Sequence, residues 1–332
     1  VARKAEQVRR GPVTEAIIAA ARRCNGPALY PFGAITKGSK GEELAEMADL
    51  RQAGAVGISD DGHCVMNAAV MRRALEYARS FDLLVSQHCE DHELTAGAQM
   101  HEGVVSARLG LRGWPREAEE IIVARDLLLA EATGTRYHVA HVSSASTVRL
   151  LREAKCRGLR VSAEVTPHHL SFTHEALERY DTQYKVTPPL REAADREALR
   201  EALREGVIDC IATDHAPHSS LEKDCEFAAA SPGIIGLEFA LPLALELVRE
   251  GVLPPSRLVE SLSTAPARIC RLRGGTLREG SSANVTVLDP ERSWKVEEAQ
   301  LRSLSANTPL LGEELRGAAV TTIVDGRVVY QR

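Results

Sequence analysis

The sequence predicts an α/β fold with a mainly parallel sheet, followed by a small β unit. Three observations carry that prediction. Short apolar runs alternate with helical patterns over roughly the first 250 residues, as repeated βαβ units require. Polar residues capable of chemistry stand where those apolar runs end. Beyond Ala265 the pattern changes to alternation punctuated by Gly and Ser, which reads as strands joined by turns.

Six strands are expected: Ala28 to Ile35, Val56 to Ser59, Leu83 to His88, Arg136 to Val142, Arg160 to Val165 and Asp209 to Asp214. After the first, Leu44, Met47, Ala48 and Arg51 carry the spacing of one helical stripe, and Gly54 stands where a left-handed C-terminal cap is wanted. Asn67 to Ser80 is the second helix. Arg116 to Thr133 opens with Glu117, Glu119 and Glu120, favourable at the positive end of a helix dipole, and closes before Gly134. Ser144 to Arg157 and Ala193 to Arg204 follow, and Gly236 to Arg249 is apolar enough to be buried. The connection from His88 to Arg116 is far longer than the typical ~4 to 6 residues, so an active-site loop is expected there. In the last segment Asn284 to Leu288 alternates, and Val320 to Tyr330 alternates around Asp325-Gly326, a hairpin signal.

The 332 residues include 41 basic and 46 acidic side chains, a formal charge of −5. This argues against a nucleic-acid partner, whose binding needs a basic stripe. Hydrophobic residues at 44% and charged ones at 26% exclude disordered, collagen-like and coiled-coil readings. No apolar run reaches the ~18 to 20 residues of a membrane span, and the opening VARKAEQVRRG lacks the apolar stretch of a signal peptide. A soluble cytoplasmic protein without a membrane partner is expected. The seven cysteines are scattered without a CxxC pair, so any metal is expected on His and carboxylate rather than on thiolate.

In an α/β barrel the catalytic groups gather at the C-terminal ends of the strands. Here the second expected strand runs into Asp60-Asp61-Gly62 and the third ends in His88-Cys89-Glu90-Asp91. The fourth ends in His141 and the sixth in Asp214-His215. Imidazole and carboxylate together suit zinc or a similar divalent ion, whose activated water hydrolyses amides. Singly, each has an ordinary structural explanation, and Asp60-Asp61 also fits a plain turn before Gly62. Four such residues at one end of separate strands share no packing explanation. His168-His169 is read as structural or as supporting the ligands, and His138 as facing elsewhere than His141. His63, His92, His101 and His174 are read as ordinary loop or helix residues. His218, on the loop DHAPH, is a substrate-contact candidate.

The strings GAITKGSKGEELAEM, SDDG, QHCED, HVAHVSS, EVTPHH, PPLR, IATDHAPH and GIIGLE resemble the bacterial dihydroorotase family of the amidohydrolase superfamily, over almost the whole chain. The resemblance implies a (β/α)8 TIM-type barrel over 1–265 and a small β-sandwich portion over 266–332. It implies two zinc ions in the complete enzyme, with Asp61 bridging them where many relatives use a carbamylated lysine. His88 and His141 would ligate the second metal, Asp214 would touch the first and shuttle the proton, and His218 with the backbone of Pro232 and Gly233 would contact substrate. The implied reaction is the reversible cyclisation of N-carbamoyl-L-aspartate to dihydroorotate. The partner states considered with it are a homodimer and an association with aspartate transcarbamoylase.

Two departures matter. The family's first-strand His-x-His pair, the Arg that follows it and an Asn after the second strand have no counterpart here, and six strands are two short of eight. Roughly a hundred N-terminal residues of a complete enzyme are therefore expected to be missing, with VARKAEQVRRG a substitute leader or the remnant of a broken frame. At most one well-held zinc is then expected, and the absent pair argues against activity of the chain as it stands. The other departure is Thr187, where the family usually has an Asn that helps hold the substrate ring; Thr lacks the paired donor and acceptor of an amide. Rival readings are a hydantoinase, dihydropyrimidinase or allantoinase, against which Asp61 speaks, and a silent dihydroorotase-like subunit scaffolding aspartate transcarbamoylase.

Overall fold

The structure, a computed structural model, describes residues 11–24 and 26–332; of the leader-like opening only Gly11 falls within it. All six expected strands form: β1 (Phe32–Gly33), β2 (Gly57–Ile58), β3 (Leu84–Gln87), β4 (Tyr137–Val139), β5 (Val161–Val165) and β6 (Cys210–Ile211). They pair in chain order, every pair parallel. Each ladder occupies only the centre of its apolar run. Because each crossover returns the chain to the same edge of the preceding strand, all six C-terminal ends lie at one end of the sheet.

The helices are α1 (Gly11–Arg23), α2 (Met47–Gln52), α3 (Ala68–Ser80), α4 (Glu117–Thr133), α5 (Ala145–Cys156), α6 (Ala193–Glu205) and α7 (Ala240–Arg249), with shorter turns between. Local chemistry sets their ends. The Asn67 side chain accepts from the N–H groups of Ala69 (2.9 Å) and Val70 (3.2 Å), and Gly134 ends α4 at φ +65°. The last helix begins at Ala240, not at the expected Gly236. The Gly236 N–H is taken by His215 Nδ1 at 3.1 Å, and a Cβ there would lie 2.6 Å from the Thr213 carbonyl oxygen. Three short helical segments spanning Pro255–Ile269 were not expected from the sequence.

Tyr137 and Val139 on β4 and Val85 on β3 are fully buried, packed with Leu75, Ile122 and Leu151 from the helices. The Tyr137 hydroxyl donates to Asp126 at 2.8 Å. Arg125 pairs with the same buried carboxylate and also caps the carbonyls of Val65 (2.9 Å) and Met66 (2.7 Å), so the buried charge is compensated. The connection from His88 to Arg116 has structure of its own, a helix Val104–Leu109 and a parallel ladder of Met100–His101 with Gly113–Trp114.

The C-terminal strands are β7 (Val285–Lys295), β8 (Glu314–Val324) and β9 (Arg327–Gln331), antiparallel with β8 central. The expected hairpin is present: Val324 pairs with Arg327, and Asp325 and Gly326 both have positive φ (+47° and +78°), the signature of a type I′ turn. The central strand begins at Glu314, earlier than the expected Val320. Trp294 of β7 stacks on Phe239, which ties this sheet to the chain just before α7. No helix among the described residues is long and apolar enough to cross a membrane.

Candidate active site

The predicted ligands sit where strands become loops, and three of them hold left-handed backbone: Asp61 (φ +35°), His141 (φ +32°) and Asp214 (φ +44°). Non-glycine residues adopt this conformation rarely, at a cost of order 1–3 kcal/mol, and such strain concentrates at functional sites.

His88 and His141 meet directly, His88 Nδ1 lying 3.0 Å from His141 Nε2. On its other side His88 Nε2 donates to Glu90 Oε2 at 2.7 Å. Glu90 also accepts from the Thr95 hydroxyl and faces His92 Nδ1 at 3.3 Å, and His92 Nε2 accepts the Cys64 N–H at 3.1 Å. Burial alone would raise the Glu90 carboxyl, but its bonds to His88 and His92 hold it far below the ordinary range. Burial pushes His88 down, toward the neutral ring. A neutral ring whose Nε2–H is given to Glu90 turns its Nδ1 lone pair toward His141 Nε2, the arrangement of a carboxylate-oriented metal ligand.

Asp214 is pushed above the ordinary carboxylate range by burial, with neighbouring Asp61 and Glu164 acting in the same sense and His141 and His88 opposing. Asp61 itself is exposed, its N–H bonded to Ser59 Oγ at 3.1 Å. Of the four predicted ligands, only His88 and His141 are hydrogen-bonded to each other. The trios whose donor atoms all lie within 4.8 Å of one another are different ones, His138 with Glu164 and Cys210, and His101 with Glu192 and Asp195.

The substrate candidates lie on one interlocked turn. His218 Nε2 donates to the Pro232 carbonyl (2.9 Å). The Gly233 N–H donates to the Lys185 carbonyl (2.8 Å), and the Gly233 carbonyl accepts from Lys223 Nζ (3.1 Å) and Asn307 Nδ2 (3.1 Å). These backbone groups are thus already engaged within the chain. Gly233 has φ +144°, and a Cβ there would lie 2.7 Å from Ala216 Cβ and 2.8 Å from His218 Nε2, so only glycine fits. Thr187 follows Lys185 by two residues and is half-buried.

Two histidines read as ordinary loop residues are not. His101 and His174 are buried with their rings 5.2 Å apart, and His101 Nδ1 accepts from Arg191 Nη1 at 3.2 Å. Burial and the Arg191 charge push His101 down to about 3. His169 bonds Thr166 Oγ1 (2.7 Å) and the Pro188 carbonyl (3.0 Å), and the buried His168 ring lies 4.8 Å from it.

The chain is similar to known proteins along most of its length. The profile of the dihydro-orotase-like family matches residues 5–147, and that of an amidohydrolase family matches residues 98–330. A dihydroorotase of Pelotomaculum thermopropionicum is 56% identical over 304 residues, covering 91% of this chain and 71% of the relative. One of Syntrophus aciditrophicus is 50% identical over 319 residues, covering 96% and 75%. The chain belongs to the dihydroorotase family of amidohydrolases. Among solved structures, the L-hydantoinase (dihydropyrimidinase) of Arthrobacter aurescens superposes with a TM-score of 0.86 at 27% identity, covering 98% of this chain and 74% of that one. The fold is thus the α/β barrel type with an added antiparallel β unit.

Amidohydrolases are typically metal-dependent, and the donors found here fit a metal. Two nitrogens each about 2.0–2.1 Å from a shared ion, at angles between octahedral and tetrahedral, stand about 2.8–3.4 Å apart; His88 and His141 stand at 3.0 Å. Glu90 is the partner that sequence reading passed over in this dihydroorotase-family site. It lies inside QHCED, two residues from a predicted ligand, and its signal was a carboxylate close to a strand-end histidine.

Proposed function

We propose that the chain is a metal-dependent dihydroorotase, converting N-carbamoyl-L-aspartate and dihydroorotate into each other. The observation that carries this reading is the pairing of His88 Nδ1 with His141 Nε2, with His88 fixed from behind by Glu90. Family membership supplies the substrate class. A divalent ion on His88 and His141, with the Asp61 and Asp214 carboxylates as the further donors that this reading assigns, would polarise the ring carbonyl and acidify a water.

The chain's own residues do the rest. Asp214, its carboxyl raised by burial, is suited to take the proton of the attacking water and return it to the ring nitrogen as the amide bond breaks. In the cyclising direction it takes that proton from nitrogen. Glu90 keeps His88 in one tautomer. His218, Thr187 and the Pro232-Gly233 turn border the substrate, and the rigid bonding of that turn fixes the pocket wall.

Zinc-supplemented hydrolysis of dihydroorotate by the purified chain tests the reading, with Asp214→Asn as the chemical control. Activity lost in that variant, with metal content kept, supports it. A folded, metal-loaded chain with no turnover favours the silent-subunit reading. At most one well-held zinc is expected at the His88 and His141 site, and a zinc content that falls by two ions per chain in His88→Ala would contradict that count.

A further inference from the structure

Within the barrel, on the inner side of the sheet, lies a second group of donors, none of which is among the four ligands read above, although Glu164 lies near Asp214. His138 on β4 is opposite Ser162 on β5, and Glu164 on β5 is opposite Cys210 on β6. Alternate residues of a strand share a face, so the four side chains project from one face of three neighbouring strands. The other face carries Tyr137, Val139, Val161, Ala163 and Val165, which pack in the main core. His138 Nε2 lies 3.1 Å from Glu164 Oε2, and His138 Nδ1 lies 2.8 Å from Ser162 Oγ. One donor atom each from His138, Glu164 and Cys210 falls within 4.8 Å of the other two.

We propose that His138 Nε2, the Glu164 carboxylate and Cys210 Sγ form a second site for a borderline-soft divalent ion such as zinc or cobalt, distinct from the His88 and His141 pair. None of these three donors belongs to the four in the catalytic reading, so the two proposals stand or fall separately. The plain alternative is an ion pair of His138 with Glu164 and a thiol packed beside it. Against that alternative, Cys210 is buried and its thiol makes a long hydrogen bond, 3.9 Å to the Ala163 carbonyl, a poor use of a polarisable donor. The bond from Ser162 holds the imidazole ring while Nε2 points at the other donors, which is how a ligating histidine is oriented. One thiolate, one carboxylate and one neutral imidazole would cancel the charge of a divalent ion, and thiolate with imidazole selects zinc-like metals over magnesium or calcium. Burial pushes the free thiol well above its ordinary range; binding would release its proton to solvent. The Glu164 side chain is 24% exposed, which gives an ion a way in and leaves room for water as a fourth ligand.

Cobalt is the probe. The full chain, stripped with a chelator and titrated with Co2+, should develop a near-ultraviolet thiolate-to-cobalt charge-transfer band, which a site of imidazoles and carboxylates cannot produce. The band should vanish in Cys210→Ala and require about tenfold more cobalt or worse in His138→Gln. It should persist in Asp61→Asn and in a chain whose exposed Cys24, Cys156 and Cys225 are all serine. Absence of the band in the unmodified chain, its survival in Cys210→Ala, or its loss with the exposed cysteines would each overturn the proposal. Should Cys210→Ala not fold, His138→Gln decides alone, since it leaves every thiol in place.

Discussion

Replacing Glu90 by Gln removes a charge while keeping the shape of the side chain. The carboxylate is buried and takes His88 Nε2–H at 2.7 Å together with the Thr95 hydroxyl. A hydrogen bond to a charged group contributes about 1.5–3 kcal/mol, and a neutral one about 0.5–1.5 kcal/mol. The difference is about 1 kcal/mol per bond, hence about 2 kcal/mol for the two close bonds. Expressed as metal affinity that is roughly 30-fold, inside the 10- to 100-fold range for losing a carboxylate behind a ligating histidine. Competition of zinc between the chain and a chromogenic chelator measures it. The sign of the pH effect follows from the depressed carboxyl: its stabilisation is complete above the unfolded value of about 4.3 and is lost as pH falls through the lower folded value. Glu90→Gln should therefore flatten the acid limb of the stability curve. Zinc affinity unchanged within about threefold, in a variant with an intact fold, would refute the assignment of His88 as a ligand oriented by Glu90, since the expected loss is ten times larger.

Asp60→Ala should destabilise the fold by about 2–5 kcal/mol, because the buried N–H groups of Ile35 (2.8 Å) and Thr36 (2.9 Å) lose their acceptor; urea unfolding reads this, and a loss below about 1 kcal/mol would mean that other acceptors replace the carboxylate. Lys223 is buried without a carboxylate partner among the described residues, its Nζ bonded to the Ser231 (2.9 Å) and Gly233 (3.1 Å) carbonyls, and burial lowers it to about 8. Between that value and 10.5 the unfolded chain binds the extra proton, so stability should rise with pH over this window, and Lys223→Met should remove the rise in urea titrations taken at several pH values. Thr187→Asn should lower KM for dihydroorotate by supplying paired amide groups, with KM unchanged as the outcome that dismisses Thr187 from the pocket wall.

What could be read from the sequence is what local patterns encode. Six strands, the caps at Asn67 and Gly134 and the turn at Asp325-Gly326 follow from periodicity and turn chemistry, each settled within a few residues. Relations that depend on register between strands could not be read that way. His138, Glu164 and Cys210 are separated by 26 and 46 residues, and only the pairing of β4 with β5 and β5 with β6 sets them side by side. The expectation that thiolate plays no part in metal binding rested on spacing along the chain, which is blind to this kind of neighbour. His101 and His174 escaped for the same reason: Arg191, whose side chain bonds the His101 ring and whose carbonyl takes the His174 N–H, lies 90 residues beyond His101.

The strain at the strand ends explains why carboxylates surround them. Three non-glycine residues with left-handed backbone cost of order 1–3 kcal/mol each and persist only where neighbouring bonds over-determine the loops. Each loop has such a bond. Beside Asp61, Asp60 accepts the N–H groups of Ile35 and Thr36 and so ties the end of β2 to that of β1. Behind His88 stands Glu90. Just past His141, Glu119 on α4 accepts the N–H groups of Ser143 (3.2 Å) and Ser144 (3.2 Å) as well as the Ser143 hydroxyl. After Asp214 an amide does the same work, Asn307 taking the His218 N–H (3.1 Å) and donating to the Ala216 carbonyl (2.9 Å). A ligand set delivered by separate loops is only as precise as those loops. On the proposed reading, the buried carboxylates at Asp60, Glu90 and Glu119 would therefore support the metal site although none of them is needed to touch the ion.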